Sequence, residues 1–362
     1  MNFPPKQDLW QYLQQTKKTV VLYGMGNGAD KILNICGRFG IPVADFFASD
    51  GFVRGHSFHG KTVLSYSQVK EKYGKDNLIV LLSFGSSLPQ VLALFDSVAA
   101  ECELYAPDVP VCGDNLFNME FARAHREELL KAYDLLADEE SRKIYENVVA
   151  YKLTGRIDYL KQAESHKEAV YTHLLDAATI RSAADLGAYN GDTIRELMTY
   201  APDLSRVYAM EPDRRNFKKL LGFVEGLSTP HVRLFHGAAW SEKAILSFAD
   251  SGNRNAGAFA SGKQVEVAAD SLDGFVGEDT IDYIKYDVEG AEGEALTGSA
   301  QVIRRCLPRL LISAYHRSED IFALPLQLHA MAPDYRLYYR RYPYVPAWDL
   351  NLIALPFFSH DH

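Results

Sequence analysis

A glycine-bearing turn at residues 185–193 contains the residues with the clearest chemistry. It reads DLGAYNGDT and follows a short apolar run, the pattern of a strand that ends in a tight turn before a helix. Glycines at such a turn let the backbone approach a ligand closely, and the following helix presents the positive end of its dipole. A second apolar run ends at Glu211, where an acidic side chain can accept hydrogen bonds from both hydroxyls of a ribose. Together these features predict a nucleoside site.

The charge around this turn indicates which nucleoside fits. Asp185 and Asp192 are both acidic and lie close to the two glycines of the turn. Their carboxylates would repel a pyrophosphate and attract a cation. S-adenosylmethionine has sulfonium and ammonium groups and therefore matches that sign, so we expect it to be the cofactor.

Composition limits the classes of partner. The chain has 362 residues, of which 47% are hydrophobic and 23% charged, an ordinary globular composition. The net charge of −9 argues against a nucleic-acid partner, and no apolar stretch is long enough to cross a bilayer, so we expect no membrane partner. Four scattered cysteines without metal-ligand spacing predict free thiols and a cytoplasmic location: Cys36, Cys102, Cys112 and Cys306.

Strand and helix patterns divide the chain into three parts. Apolar runs at 18–24, 41–48 and 78–83 alternate with helical patterns and predict a smaller, Rossmann-like α/β domain over 1–115. Residues 116–178 are charged, almost free of glycine and apolar at helical spacing, which predicts a helical connector. The alternation resumes in a domain over 179–362, with predicted strands at 183–188, 206–211, 232–238, 281–287, 309–315 and, as antiparallel edge strands, 335–339 and 350–355.

The blocks of this last domain follow one another in a familiar order. DLGAYNGDT at 185–193 is followed by AMEPD at 209–213, HGAAW at 236–240, SLD at 271–273 and IDYIKYDVEGAE at 281–292. This order resembles the FkbM family of S-adenosylmethionine-dependent methyltransferases over about residues 180–355. The resemblance implies a Rossmann-like class I methyltransferase fold with a mostly parallel seven-stranded sheet. It also implies O-methylation of a hydroxyl on a sugar or a natural-product-like small molecule.

The resemblance also implies roles for single residues. It places Asp185, Gly187 and Gly191 around the methionine end of the cofactor and Glu211 at the ribose. Ala238 and Ala239 would lie beside the adenine. The remaining predicted cofactor-binding residues belong to the same segments: Ala188, Tyr189, Asp192, Thr193, Pro212, Asp287 and Glu289.

Methyl transfer to a hydroxyl requires a group that removes a proton. His316 follows the predicted strand 309–315 and is the first candidate for this base, because an ordinary imidazole titrates near neutrality. Asp287 is the second candidate, and it could instead orient the acceptor or hold the ammonium group of the cofactor. We expect no metal. The alternative is a divalent cation held by Asp287, Glu289, Glu292 and His316, since hard oxygen ligands suit magnesium.

The first domain has its own glycine motif, which supports a rival hypothesis. Gly24, Gly26, Asn27 and Gly28 belong to GMGNGA, which satisfies G-x-G-x-x-A, and Asp50 follows the second predicted strand. This arrangement is typical of a dinucleotide site and would indicate an NAD(P)-dependent oxidoreductase or a nucleotide-sugar site. Pure scaffolding is an equal alternative.

A third hypothesis is a non-catalytic binding protein that retains the methyltransferase fold. The expected partner is a small hydroxylated acceptor. The sequence also leaves open a homodimer, in which the chain binds a second copy of itself.

Overall fold

The computed structural model describes residues 7–53, 55–250 and 263–357 of the chain. Within them, one parallel sheet is followed by helices and then by a larger mixed sheet. None of the described helices is both long and apolar enough to span a bilayer.

The first sheet is parallel throughout. Its order is β5-β2-β1-β6-β7, with helices between the strands, as the doubly wound pattern predicts. The inner strand β6, LIVLL, which lies between β1 and β7, is buried along its whole length, because helices cover both faces of such a sheet. The elements are α1 (Leu9–Gln15), β1 (Thr19–Tyr23), α2 (Asn27–Arg38), β2 (Val43–Ala48), the short strands β3 (Ser57–Phe58), β4 (Lys61–Thr62) and β5 (Leu64–Ser65), α3 (Tyr66–Tyr73), β6 (Leu78–Leu82), α4 (Pro89–Glu101) and β7 (Glu103–Tyr105).

Helices occupy the connecting region, as predicted. The longest helix begins after Asp138, whose side chain accepts a hydrogen bond from the backbone of Ser141, and ends at Gly155 in the left-handed conformation. Both are common ways to satisfy the free backbone groups at helix ends. The helices are α5 (Met119–Ala124), α6 (Arg126–Asp134), α7 (Glu139–Thr154), α8 (Ile157–Gln162) and α9 (Lys167–Ala169), followed by a π-helical turn (Val170–Leu174).

The second sheet has seven strands in the order β10-β9-β8-β14-β15-β17-β16. The first five are parallel, whereas β17 runs antiparallel to both β15 and β16. The predicted mostly parallel, seven-stranded sheet is therefore confirmed. The strands and helices are β8 (Ser182–Leu186), α10 (Asp192–Tyr200), β9 (Arg206–Met210), α11 (Arg214–Val224), β10 (His231–Phe235), α12 (Leu272–Val276), β14 (Tyr283–Tyr286), α13 (Glu292–Thr297), α14 (Ala300–Cys306), β15 (Arg309–Ser313), α15 (Asp320–Met331), β16 (Tyr335–Arg341) and β17 (Leu350–Pro356).

Two details differ from the predicted strands. Of the two strands predicted at the edge of the sheet, only β16 lies there, because β17 inserts between β15 and β16. The run predicted as one strand over 232–238 is interrupted, and its end pairs in a separate three-stranded sheet. That sheet contains β11 (Ala238–Ala239), β12 (Ala244–Asp250) and β13 (Lys263–Asp270).

The three parts of the chain share one hydrophobic core. Val80 of β6, Tyr145 of α7 and Ile284 of β14 belong to the same buried cluster. The loop after β6 also pairs with the loop between β16 and β17, because the backbones of Ser86 and Val345 exchange two hydrogen bonds of 2.9 and 3.0 Å. The loops at the carboxyl ends of the two sheets therefore face one another.

Candidate functional site

The site lies at the carboxyl ends of the parallel strands of the second sheet. Asp185 is in β8, Glu211 directly follows β9, and Asp287 directly follows β14. The strand ends are held side by side, since the amide of Asp287 donates to the carbonyl of Leu186 at 2.9 Å. Ligand crevices of open α/β sheets lie at this edge.

Two glycines of the turn after β8 occupy positions that no other residue could fill without strain. Gly187 has φ +88°, and a Cβ there would lie 1.9 Å from the carbonyl oxygen of Asp287. Gly191 has φ +85°, and its Cβ would lie 2.3 Å from the ring of Phe223. Both positions combine left-handed backbone with close packing. The close packing of this turn on Asp287 and Phe223 therefore requires glycine at both positions.

Asp185 is buried, with 3% of its surface exposed, and neither of its carboxylate oxygens has a hydrogen-bond partner among the described residues. Burial raises the pKa of this carboxyl to about 6, although Lys285 opposes the rise. A buried acceptor without a partner is costly and is uncommon in folded proteins. A cationic ligand with hydrogen-bond donors would relieve both the charge and the unmet acceptors.

Glu211 is held by the backbone on both sides. Its Oε2 accepts a hydrogen bond from the amide of Tyr189 at 2.8 Å, and its Oε1 accepts one from the amide of Asp213 at 2.7 Å. Burial raises the pKa of the carboxyl to about 7. Since each carboxylate oxygen can accept more than one hydrogen bond, both remain able to accept a ribose hydroxyl.

Lys285 belongs to the site and was not selected from the sequence. Its Nζ donates to Thr193 Oγ1 at 3.0 Å and lies 3.1 Å from Asp287 Oδ2. Burial opposes its charge, but Asp287 and Asp185 raise its pKa, so the ammonium group stays protonated. A lysine inside an otherwise apolar strand was the signal that could have indicated this role, because lysine is rarely buried without a partner.

His316 is surrounded by carboxylates. Its Nδ1 lies 2.8 Å from Glu292 Oε1, and its Nε2 lies 3.6 Å from Asp287 Oδ1 and 3.7 Å from Glu289 Oε2. Burial alone would lower the pKa of this imidazole, but the three carboxylates, with Glu292 first, raise it to about 10. In this state of the protein His316 therefore carries a proton at neutral pH. An ordinary pKa near neutrality, the premise for choosing it as the base, does not hold here.

Part of this cluster could hold a metal ion. Asp287, Glu292 and His316 each offer one ligand atom, and these atoms lie within 4.8 Å of one another. Glu292 is only 1% exposed, and its Oε2 has no hydrogen-bond partner among the described residues. Two carboxylates and an imidazole are ligands that divalent cations accept. Glu289 lies outside this group of three, but its Oε2 faces Nε2 of His316, the nitrogen that also faces Asp287.

The other predicted cofactor-binding residues lie along the same edge. Ala188 is fully buried, and its amide donates to Met210 at 3.0 Å. Asp192 and Thr193 begin α10, and Pro212 follows Glu211 at the end of β9. Ala238 and Ala239 form β11, buried beside the end of β10. Tyr189 is in the left-handed region, with φ 47°.

Packing accounts for two glycines of the motif in the first sheet, Gly24 and Gly28. A Cβ on Gly28 would lie 2.1 Å from the carbonyl oxygen of Ser83, and one on Gly24 would lie 2.6 Å from the ring of Phe84. Asp50 accepts hydrogen bonds from the side chain and amide of Ser67 at 2.6 and 3.2 Å. These contacts account for Gly24 and Gly28, and they give Asp50 a hydrogen-bond partner within the first domain. Gly26 and Asn27 lie at the start of α2.

Comparisons with known proteins agree with this arrangement. The family model described as methyltransferase FkbM domain matches residues 185–345. A search of curated proteins finds no match. The crystal structure of methyltransferase FkbM from Methylobacillus flagellatus KT is similar over 95% of this chain and 92% of that chain, with a TM-score of 0.72 and 20% identity. Because this similarity spans nearly the whole chain, it extends to the first sheet and the connecting helices.

Two further solved structures resemble about half of the chain. A putative methyltransferase from Streptococcus mutans, in complex with SAH, has 13% identity and a TM-score of 0.36, covering 53% of this chain and 99% of that chain. An rRNA methylase from Streptococcus thermophilus has 12% identity and a TM-score of 0.36, covering 52% of this chain and 95% of that chain.

Proposed function

The chain carries a methyltransferase FkbM domain, which makes it an S-adenosylmethionine-dependent methyltransferase, and from this premise we propose that it methylates a hydroxyl of a sugar or natural-product-like small molecule. The proposal rests on two features of the site: Asp185 is buried with no hydrogen-bond partner among the described residues, and three carboxylates surround His316. The first suits a cationic methyl donor. The second suits an acceptor that must lose a proton.

Each end of the cofactor has a suitable partner in the site. Glu211 would accept hydrogen bonds from the ribose hydroxyls, since its carboxylate is already oriented by two backbone amides. Asp185 would face the ammonium and sulfonium end, and Lys285 offsets part of its negative charge. Ala238 and Ala239 would pack beside the adenine, because small side chains leave space for a flat ring.

The transfer itself is an in-line displacement at the methyl carbon. The acceptor oxygen forms a bond to that carbon, the carbon–sulfur bond breaks, and its electron pair remains on sulfur in S-adenosylhomocysteine. The hydroxyl proton passes to Nε2 of His316, the ring nitrogen that is directed away from Glu292. A general base of this kind contributes about 10²–10⁴-fold to a rate, and alignment of the reacting atoms can contribute more.

His316 can serve as the base only after it has lost its own proton. Its pKa is about 10 because carboxylates surround it. A bound sulfonium cation adds positive charge near Asp287 and therefore lowers that pKa toward neutrality. Binding of the cofactor would in this way prepare the base. Asp287 lies between Lys285 and His316, where it would orient the acceptor or hold the cofactor's ammonium group.

A divalent cation is a second way to prepare the site. Oε2 of Glu292 has no hydrogen-bond partner in the described part of the chain, which favours this alternative. Asp287, Glu292 and His316 would hold the ion, and Glu289 would stand beside it. Such an ion would supply a positive charge that stabilises an acceptor alkoxide. Methyl transfer measured before and after chelation, and again after Mg²⁺ is restored, distinguishes a site that requires a metal ion from one in which the cofactor alone prepares His316. Unchanged turnover after chelation excludes the metal.

Calorimetric titration with S-adenosylhomocysteine, NAD and a nucleotide-sugar, each in a separate experiment, tests the cofactor. We expect S-adenosylhomocysteine to bind, whereas a first sheet that serves only as a scaffold predicts no heat with NAD. Glu211→Ala should weaken that binding by about 1–3 kcal/mol. Glu225→Gln, an exposed acid at the far end of α11, is the matched control and should have no effect. Tight NAD binding with no response to S-adenosylhomocysteine would favour the oxidoreductase instead.

Transfer of a labelled methyl group to a panel of sugars, glycosides and hydroxylated natural products tests the acceptor. We expect the labelled methyl group to appear on one hydroxylated compound of the panel, whose scaffold is otherwise unchanged. The substitution His316→Ala should abolish this labelling. Cofactor binding without transfer to any member of the panel, even at high pH where His316 is neutral, would favour a non-catalytic binding protein.

A further inference from the structure

The segment Asp108–Asn115, here named the strap, joins the first sheet to the connecting helices and crosses the edge of the site. At its centre, the amide of Cys112 donates to the carbonyl of His316 at 2.9 Å. The thiol of Cys112 donates to the carbonyl of Glu289, also at 2.9 Å. The strap is therefore hydrogen-bonded directly to the two segments that carry Glu289 and His316.

The strap also packs closely on the loop after β14. A Cβ on Gly290 would lie only 2.9 Å from Cβ of Cys112, so a glycine is needed where the two backbones approach. At its far end, Ser318 Oγ donates to the carbonyl of Asn115 at 2.6 Å. These contacts hold the strap against the second domain on both sides of His316.

The first domain holds the strap from the opposite side. Nζ of Lys31, in α2, donates to the carbonyls of Pro110 and Val111 at 3.0 and 2.7 Å. Hydrogen bonds from a charged donor are about twice as strong as neutral ones. Lys31 is therefore a strong contact between the first domain and the part of the strap next to Cys112.

The connecting helices hold the beginning of the strap. Nζ of Lys152, in α7, lies 3.0 Å from Asp108 Oδ2, and both side chains are nearly excluded from solvent at 3% and 11% exposure. All three parts of the chain thus meet at this segment. Lys31 also interacts electrostatically with Glu289. Burial raises the pKa of that carboxyl, and the positive charge of Lys31 lowers it.

We propose that Lys31 is a positioning residue for methyl transfer, which holds the strap against Glu289 and His316 and so fixes one wall of the acceptor site. The inference rests on the proposed function, because a wall beside His316 matters only if that residue meets an acceptor. It gives the first domain a role that requires no ligand of its own. The glycine motif at the start of α2 then serves to bring Lys31 to the strap.

The reactivity of Cys112 reports directly on the strap. Its thiol is buried, at 8% exposure, and would react with iodoacetamide only when the strap opens. Lys31→Met should raise the alkylation rate of Cys112, followed by peptide mass spectrometry, at least about tenfold, or about 1.4 kcal/mol of local opening. Cys36 is 1% exposed in α2 and serves as an internal standard for unfolding of the first domain.

Lys61→Met is the matched control, because Lys61 also donates to two backbone carbonyls of the first domain, those of Val43 and Ala44, but does not touch the strap. We expect it to leave the alkylation of Cys112 unchanged. Lys31→Arg should restore slow alkylation, since a guanidinium can also donate to two carbonyls. Ser318→Ala loosens the far end of the strap independently and should also raise the rate at Cys112.

Kinetics connects the strap to the reaction. Lys31→Met should lower kcat/KM at least about tenfold for the panel compound that takes the labelled methyl group. The affinity for S-adenosylhomocysteine should stay within about twofold, because the strap is hydrogen-bonded at Glu289 and His316 rather than at Asp185 or Glu211. Equal alkylation of Cys112 in Lys31→Met and the unaltered protein would overturn the proposal, as would an unchanged kcat/KM. Failure of the unaltered protein to bind S-adenosylhomocysteine would instead refute the proposed function, and the alkylation result would still stand.

Discussion

Nδ1 of His316 lies 2.8 Å from Oε1 of Glu292, and both residues are 1% exposed. The carboxylate fixes the orientation of the imidazole, so that Nε2 faces Asp287 and Glu289. An oriented histidine with a buried carboxylate partner is the arrangement in which the acid stabilises the imidazolium that forms on proton transfer.

Glu292→Gln should therefore reduce methyl transfer much more than cofactor binding. The amide keeps the shape but removes the charge that orients and stabilises the imidazolium, and losses of this kind reach about 10⁴-fold. Steady-state kinetics with a labelled methyl donor, together with calorimetry of S-adenosylhomocysteine, would measure both quantities. Glu294→Gln, on the same helix, is a suitable control. Full activity in Glu292→Gln would remove the pair from the proton-transfer step.

His316 also makes the stability of the protein depend on pH. Its pKa is raised from 6.5 to about 10 in the folded state, so its contacts with the carboxylates stabilise the fold fully below pH 6.5. This stabilisation is lost progressively as the pH rises from 6.5 to about 10. The difference in melting temperature between the unaltered protein and His316→Asn should shrink over that interval. A constant difference would contradict the raised pKa.

Cofactor affinity should increase as the pH rises through the range from about 6 to 7. Burial raises the pKa of Asp185 to about 6 and that of Glu211 to about 7, whereas the cation and the ribose hydroxyls are best bound by ionised carboxylates. At lower pH the ligand must first displace a proton from each carboxyl, which weakens binding. Calorimetry with S-adenosylmethionine at several pH values would measure the change. Glu211→Gln should remove the contribution near pH 7 and keep the one near pH 6, and an unaltered profile would argue against the assigned ribose contact.

Gly187→Ala should destabilise the fold and disrupt the cofactor site. Gly187 has φ +88°, and a Cβ there would lie 1.9 Å from the backbone of Asp287. Left-handed strain alone costs about 1–3 kcal/mol, and the clash adds to it. Gly222→Ala is the matched control, because Gly222 is within α11 and a Cβ there has no neighbour within 4 Å. That substitution should be neutral or stabilising by about 0.4–1 kcal/mol, as measured by urea unfolding.

The local parts of the fold and the site were predictable from the sequence. Asp185, Gly187 and Glu211 lie where a strand ends in a turn, and such patterns involve residues that are neighbours along the chain. The seven strands were predictable for the same reason, since each appears as an apolar run or as an alternation of apolar and polar residues. The insertion of β17 between β15 and β16 was not, because strand order depends on how the elements pack.

Only the tertiary structure decided which residues that are distant in sequence come into contact. Glu292 was expected as one of four ligands of an alternative metal, but its hydrogen bond to His316 spans 24 positions. The contact between Cys112 and Glu289 spans 177 positions. Lys285 lies beside Asp185 only because β8 and β14 are paired. Residue types and local spacing indicate which chemistry a chain can perform, whereas the packing of sheets and loops determines which charges meet and therefore what each group's pKa becomes.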